Sequence, residues 1–436
     1  MPPAVSGIET YGSAIPYAEP PWARGLPSPF IRESHRQLQK AMREWVETNM
    51  IPFVTEWEAS RSIPHGLYKA CAVGGILMPM AAGARIPESW RGKYPILGDV
   101  DGSDWDGFHD FIIHDEMMRV GGIGGVVKTL CVPAIWKHGR GPAIDRIIDE
   151  VLSGDSRLSL AVTEPEAGSD VQGITTAATL SSDKTHFVVN GQKKWITGGM
   201  YADYFLTLIR APDGGFNLVI IPKDSTVTVR PMEMCGSTCA GTAFVEFDDT
   251  HVPVANRAGV EGKGLTYVMS NFNHERLFIS FQSLRCARMC LEDSISHTIA
   301  RETFGQKLAA HAAVRNRLAH MARETEALQG WIEGLVYQLD HLSEEAAVAL
   351  LAGQTAQLKA HSGIILERVA SHAIQLMGGL GLTRGGRGER LERIWRDVKA
   401  ITIPGGSEDI LLDFSIRRAL RGCMDHSESR HRPTKI

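Results

Sequence analysis

The order of secondary-structure patterns along the chain constrains its fold more than any other feature of the sequence. From Pro29 to about Arg157 apolar residues recur with a helical period, as in RESHRQLQKAMREWVETNMIPFV. Residues 158–258 are short β-branched or aromatic runs separated by Gly, Asn, Asp and Pro, the pattern of an antiparallel β-domain. The helical period then returns in long Ala- and Leu-rich segments, which favour an antiparallel bundle. These helices are predicted at about 265–303, 308–340, 343–377 and 408–422.

The sequence therefore predicts an α+β protein with an N-terminal α-helical domain, a middle antiparallel β-domain and a C-terminal four-helix bundle. With 43% hydrophobic residues in 436, the chain can bury a large core. A Gly/Asp/Trp-rich insert, RIPESWRGKYPILGDVDGSDWDG, is predicted to be a surface loop, and MGGLGLTRGGRGERLERIWRDVKAITIPGGSED a Gly-rich connector. The expected domain limits are an N-terminal arm at 1–28, the α-helical domain at 29–157, the β-domain at 158–258, the bundle at 259–422 and a tail at 423–436.

Composition and charge exclude several classes of protein. The formal net charge is −4 and no long basic run is present, so a nucleic acid is not an expected partner. No apolar run approaches 18 residues, so no membrane span is expected. The seven cysteines are scattered and odd in number, which indicates reduced intracellular thiols. We expect a soluble intracellular protein, with the cytoplasm favoured and mitochondria or peroxisomes left open.

Several common motifs are absent or broken. Gly379-Leu-Gly381 begins a GxGxxG, but Arg384 occupies the third glycine position and no strand precedes it. GxxxxGK[ST], HExxH and GxSxG do not occur. Cys286 and Cys290 fall in a helical pattern at a spacing that favours buried neighbours over a zinc pair. No metal site is predicted, and His274 is interpreted as an ordinary polar helix residue.

One carboxylate stands on an apolar face. Within GLTYVMSNFNHERLFIS the apolar residues Leu265, Val268, Met269, Phe272 and Ile279 share one side of a helix, and Glu275 has the same phase. A carboxylate placed inward is costly unless it is paired or used. Glu275 is therefore a candidate functional residue.

Six blocks of sequence resemble the acyl-CoA dehydrogenase family. They are AVTEPEAGSD (161–170), NGQKKWITGG (190–199), FVEFDDTHVPVANRAG (244–259), RETFGQKL (301–308), QLMGGLGL (375–382) and RIWRDVKAITIPGGSEDIL (393–411). They occur in family order, and the resemblance covers about residues 35–422. It implies a FAD flavoprotein that removes a proton α to a thioester and a hydride from the β carbon, hence an oxidoreductase acting on CH–CH groups.

The resemblance also implies the residues of the cofactor site. Those expected to contact FAD are Val162, Thr163, Ser169, Trp195, Thr197, Arg301, Gln375, Gly378, Gly379, Ser407 and Asp409. Ser169 and Arg276 are also expected near the substrate. Taken without the resemblance, Ser and Thr indicate turn chemistry, Trp195 a core residue, Arg301 a surface charge and Arg276 a structural ion pair.

The same resemblance implies the partners. Arg301 matches an arginine that reaches the FAD pyrophosphate of a neighbouring subunit, which requires at least a dimer; the family is usually a dimer of dimers, a homotetramer. The expected substrate is an acyl-CoA or a related thioester of fatty acid or amino acid metabolism. The expected electron acceptor is electron-transferring flavoprotein or a similar carrier.

Two departures from the family pattern bear on the chemistry. Ala312 stands where many members have a Gln near the adenine, and Gly405 stands where many place the catalytic Glu of a Tyr-Glu-Gly-Thr motif. Glu275-Arg276-Leu277 matches the Glu-Arg-Leu of members resembling isovaleryl-CoA dehydrogenase, whose base lies on the first bundle helix. The predicted base is Glu275, and the Gly405 N–H keeps its role as a donor to the thioester oxygen.

Alternatives remain at this stage. Glu408 or Asp409 could supply the carboxylate, or the chain could lack a base. Glu164 and Glu166 are interpreted as turn and packing carboxylates, and Asp397 as part of a structural ion pair. The chain could also be an oxidase of the same fold, using O2 or nitroalkanes, or a catalytically silent FAD-binding protein. Nitroalkane oxidases carry an Asp at the position of Gly405, which disfavours that branch. Acyl chain length is left open, since pocket depth depends on GGIGGVVKTLCVP (121–133).

Overall fold

A computed structural model describes residues 11–125, 129, 131–211 and 214–430 of the chain. The helices of its first part are α1 (Glu33–Asn49), α2 (Val54–Ser60), α3 (Gly66–Val73), α4 (Leu77–Ala82), α5 (Gly107–Met117), α6 (Val132–His138) and α7 (Pro142–Leu152). The amphipathic pattern of α1 explains its packing, because Leu38, Met42 and Val46 form its buried face. Helix α5 is buried along its whole length and is capped by Asp106, whose carboxylate accepts the N–H groups of Phe108 and His109.

Seven strands follow and form one sheet. They are β1 (Leu158–Ala161), β2 (Ala177–Leu180), β3 (His186–Ile196), β4 (Tyr204–Arg210), β5 (Phe216–Pro222), β6 (Val227–Pro231) and β7 (Ala243–Pro253). The hydrogen-bonded order is β1-β4-β2-β3-β7-β6, and β5 pairs with β4. Most pairings are antiparallel as predicted, but β1 runs parallel to β4, and β2 and β4 share one parallel pairing. Between β1 and β4 the chain forms the β2–β3 hairpin, so the connection is long enough for β4 to run in the same direction as β1.

The C-terminal part consists of long helices. They are α8 (Gly264–Ala300), α9 (Ala312–Asp340), α10 (Glu344–Met377), α11 (Glu389–Thr402) and α12 (Glu408–Arg430), with a small hairpin of β8 (Glu302–Thr303) and β9 (Gln306–Lys307) after α8. Cys286 and Cys290 are fully buried in α8, as expected for helix neighbours. Among the described residues, no helix has the length and apolar character that a bilayer crossing would need.

Two predictions about the bundle need correction. The predicted connector contains α11, whose buried Leu391, Ile394, Val398 and Ile401 have helical spacing. The glycines on both sides of this segment obscured that period. Helix α12 also continues through Arg430, beyond the predicted limit at 422. The bundle therefore has a fifth helix, and the domain limits given above remain predictions.

The predicted arm and surface loop are also packed more closely than expected. Trp22 and Ala23 of the arm are buried, and so are Trp90, Tyr94 and Trp105 of the Gly/Asp/Trp-rich insert. The insert contains no α-helix, as predicted, but its aromatic side chains belong to the core beside the N-terminal helices. The sequence does not reveal this role, because polar residues separate the aromatic ones and isolated aromatic residues form no periodic pattern.

A buried ionic network joins the arm to three helices. Arg43 of α1 donates to both Glu19 oxygens at 2.9 and 3.0 Å and to Glu116 of α5. Arg285 of α8 donates to Glu19 at 3.2 Å and to Asp115 of α5. Burial alone would raise the pKa of Glu19, but Arg285 and Arg43 hold that pKa at about 2. Glu19 therefore stays ionised and fixes the arm against the helices.

We predict that Glu19→Gln destabilises the protein by about 3–5 kcal/mol, because two buried guanidinium groups lose a carboxylate partner. Denaturant unfolding followed by circular dichroism measures this. Asp155→Asn is the matched control, since Asp155 forms an exposed pair with Lys69 and should change stability by less than about 1 kcal/mol. A similar small effect of both variants would contradict the network's importance.

The same network predicts a pH dependence. The pKa of Glu19 is depressed on folding, from 4.5 to about 2. Its contribution is therefore complete above pH 4.5 and is lost as the pH falls toward 2. The unfolding free energy of the wild type should fall more steeply across this range than that of Glu19→Gln.

Candidate active site

Glu275 and Gly405 lie next to each other in the folded chain. Glu275 lies on α8 with 9% of its surface exposed. A β-carbon built on Gly405 would lie 3.9 Å from Cγ of Glu275 and 2.9 Å from Cδ1 of Ile279. Gly405, which lacks a carboxylate, therefore lies opposite Glu275 of α8, which has one.

The loop around Gly405, residues 403–407, connects α11 to α12. Gly405 and Gly406 have φ angles of +73° and +111°, which L side chains rarely adopt. The Nε of Arg276 donates to the Gly405 carbonyl at 3.2 Å, and Nζ of Lys359 donates to the Thr402 and Gly406 carbonyls. Two cations from α8 and α10 thus hold three carbonyl groups in and beside this loop.

Arg276 has partners other than the predicted ion pair. Besides the Gly405 carbonyl, it donates to Asn273 Oδ1 at 3.3 Å, and its guanidinium lies 5.6 Å from the ring centre of Phe414. Burial lowers its pKa, while Glu275 opposes that shift. These contacts give Arg276 a part in holding the loop.

His274 connects the helical turn of α8 that carries Glu275 to α5. Its Nε2 lies 3.1 Å from Asp110 Oδ2, and His114 Nε2 lies 3.4 Å from the other Asp110 oxygen. Burial would raise the pKa of Asp110, but the two imidazoles hold it well below its usual range. His274 is therefore more than the ordinary polar residue that we predicted, since it tethers α8 to a buried carboxylate.

Among the described residues, two groups of His and Asp place nitrogen and oxygen atoms within 4.8 Å of one another. One is the tether just described. In the other, His35 and His109 both bond to Asp106, the residue that caps α5, and His109 also contacts Ser34. Helix capping accounts for that second group, and the expectation that no metal is needed remains a prediction.

The first predicted cofactor segment follows β1. Val162 is buried and its carbonyl accepts Nζ of Lys193 at 2.9 Å. Glu164 accepts the same ammonium at 2.8 Å and also the backbone N–H groups of Thr175 and Thr176. Burial lowers the pKa of Lys193 to about 8, against the opposing effect of Glu164. Glu164 has the turn-and-packing role that we expected, and Lys193, which we did not single out, fixes the Val162–Thr163 segment.

Trp195 stands at a β-bulge at the end of β3. Its φ is +58°, rare for a bulky residue, and the pairing of β3 with β7 shifts between Lys193 and Ile196. Such a conformation costs about 1–2 kcal/mol and persists only where surrounding structure enforces it. The result is an indole that is 44% exposed, so the alternative of a core tryptophan is wrong. Thr197 is half-buried two residues on, and Ser169 is exposed near the Val162 segment.

The remaining cofactor candidates lie at helix ends. Arg301 is exposed where α8 stops, and the adjacent β8–β9 hairpin displays Phe304 with 97% of its surface exposed. Gln375, Gly378 and Gly379 are exposed at the end of α10. At 1.5 Å per residue, α8 from Glu275 to its end is about 37 Å long. Arg301 is therefore remote from Glu275 within one chain.

Ser407 and the two acids that follow it lie at the start of α12. Ser407 is half-buried and its carbonyl accepts the Leu411 N–H, while Glu408 and Asp409 are exposed in the first turn. Acids are favourable there because they face the positive end of the helix dipole. This position gives Glu408 and Asp409 a favourable interaction with the helix dipole.

The prediction for Asp397 is wrong. The buried carboxylate accepts the backbone N–H groups of Gly122 and Ser237, whereas Arg396 pairs with Glu58 and Glu392 and Lys399 pairs with Glu367. Burial raises the pKa of Asp397 to about 6. Asp397 therefore anchors two loops to α11. Residues 126–128 and 130 of the stretch expected to set pocket depth lie outside the described residues.

The matching family models cover almost the whole chain. They are the acyl-CoA dehydrogenase N-terminal domain over residues 32–155, its middle domain over 159–250 and its C-terminal domain over 262–420. The chain belongs to the acyl-CoA dehydrogenase family. The predicted three-domain fold is thereby confirmed, and so is the class of enzyme, an oxidoreductase acting on CH–CH groups.

Individual relatives agree with this family. An acyl-CoA dehydrogenase of Emericella nidulans, apdG, is 40% identical over 94% of this chain and 96% of its own. The acyl-CoA dehydrogenase of Geobacillus kaustophilus is 26% identical, with a TM-score of 0.79 over 90% of this chain and 100% of its own. One from Bacillus anthracis, solved with FAD, is 25% identical, with a TM-score of 0.80 over 92% of this chain and 69% of its own. The predicted cofactor, FAD, is confirmed.

The described residues fit a flavin cofactor. The exposed Trp195 offers a flat aromatic surface, and β-carbons built on Gly378 and Gly379 would meet nothing within 4 Å. The φ of +60° explains the glycine at 378, where α10 ends, whereas packing within the chain does not explain Gly379 and close approach of a cofactor would. Arg301 offers a guanidinium suited to phosphate.

We predict that Gly405→Ala destabilises the protein by about 1–3 kcal/mol, through its positive φ and the crowding of Ile279 Cδ1. Ile279→Val removes that methyl group, so Gly405→Ala combined with Ile279→Val should recover part of the loss in a double-mutant cycle.

The control for this experiment is Gly334→Ala in α9, where a β-carbon meets nothing within 4 Å. It should stabilise by up to about 1 kcal/mol through helix propensity. Equal effects of the two alanine variants, measured by denaturant unfolding, would rule out the close contact at Gly405.

Proposed function

We propose that this protein dehydrogenates an acyl thioester at its α and β carbons, with Glu275 as the proton acceptor. The observation that carries the proposal is the placement of Glu275 against Gly405, whose side chain is missing where many family members have their base. A base needs only to bring its oxygen within hydrogen-bond reach of the α-proton, so either backbone position can carry it. The chain thus replaces one carboxylate by another at the same place.

Burial favours Glu275 over its rivals. Glu408 and Asp409 are exposed in the first turn of α12, where the helix dipole favours acids. Glu275 is buried on the apolar side of α8, beside Ile279 and Val268. A site that excludes water strengthens the electrostatic interactions of a charged group with a substrate. Glu275 is therefore the better-placed carboxylate.

The residues that hold the reacting groups have separate roles. The Gly405 N–H, which a glycine retains, is proposed to donate to the thioester oxygen as negative charge develops there. Arg276 supports this donor from the adjoining peptide group, Gly405–Gly406, through its bond to the Gly405 carbonyl. FAD, when bound, accepts the hydride from the β carbon.

The cofactor is proposed to be held by two sets of residues. Val162, Thr163, Ser169, Trp195, Thr197, Ser407 and Asp409 would belong to one chain, and Arg301, Gln375, Gly378 and Gly379 to its neighbour. Two observations support a second copy: the distance along α8 from Glu275 to its end, and an exposed apolar stripe on α12 formed by Leu412, Ile416 and Leu420. An exposed apolar surface of this kind favours association. A homotetramer remains the proposed assembly.

The substrate and the electron acceptor are also proposals. The name of the Emericella nidulans relative, an acyl-CoA dehydrogenase, supports a CoA thioester as substrate and a dehydrogenase rather than an oxidase. The proposed acceptor is electron-transferring flavoprotein or a similar carrier. Stopped-flow reoxidation of the reduced enzyme by air and by a flavoprotein acceptor tests this, because an oxidase would react faster with O2.

We predict that Glu275→Gln slows anaerobic bleaching of the flavin by acyl-CoAs about 10²- to 10⁴-fold, the usual contribution of a general base. Glu408→Gln and Asp409→Asn serve as the rival-base controls, and FAD content is measured for every variant. If Glu275→Gln bleaches as fast as wild type, Glu275 is not the base. If no acyl-CoA in a panel bleaches the wild type, the protein is a silent FAD-binding member.

A further inference from the structure

Lys359 has an unusual position for a lysine. It lies in the middle of α10 with 1% of its surface exposed, among buried residues such as Ala356, Leu358 and Ala360. Its Nζ donates to the Thr402 carbonyl at the end of α11 and to the Gly406 carbonyl at 2.5 Å. One ammonium group therefore bonds to a carbonyl on each side of Gly405.

The segment that contains Gly405 needs such support. Gly405 and Gly406 adopt positive φ angles, and glycines lose more conformational freedom on ordering than any other residue. The Gly405 carbonyl is held by Arg276 of α8, so α8 and α10 fix the segment from two directions. The Gly405 N–H belongs to the Pro404–Gly405 peptide, and the held carbonyls of Thr402 and Gly406 lie on either side of it, which restricts how this peptide can turn.

Lys359 also contributes charge. Burial lowers the pKa of Lys359 to about 8, while Glu275 and Glu408 raise it and Arg276 lowers it further. Those three side chains, from α8 and α12, are the charged groups that bear on it. Burying an ammonium is costly, and an apolar residue of similar size is often no less stable. A lysine at this place therefore calls for an explanation beyond packing.

The proposed reaction moves negative charge from the Glu275 carboxylate to the thioester oxygen beside the Gly405 N–H. Lys359 interacts electrostatically with Glu275 and bonds to the carbonyl of the residue after Gly405. A fixed positive charge close to both locations stabilises the enolate without reorganising during the step. We infer that Lys359 is a positioning residue for this reaction, which orients the Gly405 N–H and supplies a positive charge beside the developing enolate.

The inference rests on the proposed function, and an exchange assay tests it apart from hydride transfer. The holoenzyme is reduced with dithionite before an acyl-CoA is added in D2O, so that no hydride can leave the β carbon. Glu275 then takes the α-proton and returns a deuteron from solvent; the C–H bond breaks, a C–D bond forms and nothing is oxidised. Mass spectrometry of the acyl-CoA gives the exchange rate.

In wild type we expect the exchange rate to fall as the pH rises through about 8, because Lys359 loses its charge there. Lys359→Arg should keep a high rate without that decline, since a guanidinium remains protonated. Lys359→Met should exchange on the order of 10²-fold more slowly at pH 7, the scale of a misplaced catalytic group, and show no decline near pH 8. Acyl-CoA affinity, measured by calorimetry, and FAD content should stay close to wild type.

Lys399→Met on α11 is the control, since Lys399 forms an exposed pair with Glu367 and should exchange like wild type. A merely structural lysine would lower the melting temperature or FAD content of Lys359→Met and leave the pH profile unchanged. The inference is overturned if the wild type shows no decline near pH 8, or if Lys359→Met retains the wild-type rate and profile. If Lys359→Arg does not fold, the inference is tested by the pH profile of the wild type and by the exchange rate of Lys359→Gln, which should be as low as that of Lys359→Met.

The proposed function can fail in a distinguishable way. Wild type without exchange, or Glu275→Gln with wild-type exchange, overturns the base assignment and the inference with it. Wild type that exchanges, Glu275→Gln that does not and Lys359→Met that is unaffected overturn the inference alone.

Discussion

The burial of α8 is the constraint on which the rest of the structure depends. This helix runs from Gly264 to Ala300 and packs against helices of both α-helical parts of the chain. Its buried polar residues cannot reach water, so other elements must supply partners for them. Arg285 is buried and pairs with Glu19 and Asp115, and the half-buried His274 bonds to Asp110. Each partner fixes another element to α8, and Glu19 does so for the described part of the N-terminal arm.

The same constraint gives α8 its part in the proposed chemistry. A carboxylate on a buried helix is held in one place by its surroundings, as a proton acceptor has to be. Glu275 lies beside a loop of two glycines that no regular secondary structure holds, and Arg276 and Lys359 supply the missing hydrogen bonds. Helix α8 thus carries the carboxylate and, with α10, holds the loop, so the proposed base and the proposed oxyanion donor keep a fixed relation.

The residues proposed to bind FAD have a different setting. Trp195, Arg301, Gln375 and Gly379 are exposed, at the end of β3 and at the ends of α8 and α10. Trp195 keeps a strained backbone to expose its ring, and Arg301 is separated from Glu275 by most of α8. In the proposed assembly a cofactor and a second chain would cover these surfaces. The core of one chain would then hold the proposed proton acceptor, and assembly would complete the proposed flavin site.

The sequence by itself determined the order of helical and β-rich parts, the family and the inward direction of Glu275, because periodicity and motif spacing are local properties of a chain. It failed for α11, whose period is short and flanked by glycines, and for the buried aromatics of the insert, which have no period. Only the tertiary structure decided which groups meet: Lys359 with the Gly405 loop, Asp397 with backbone N–H groups, and Trp195 with solvent through a β-bulge. Such partners are far apart in sequence, and their pairing depends on how helices pack and loops close, which no local pattern encodes.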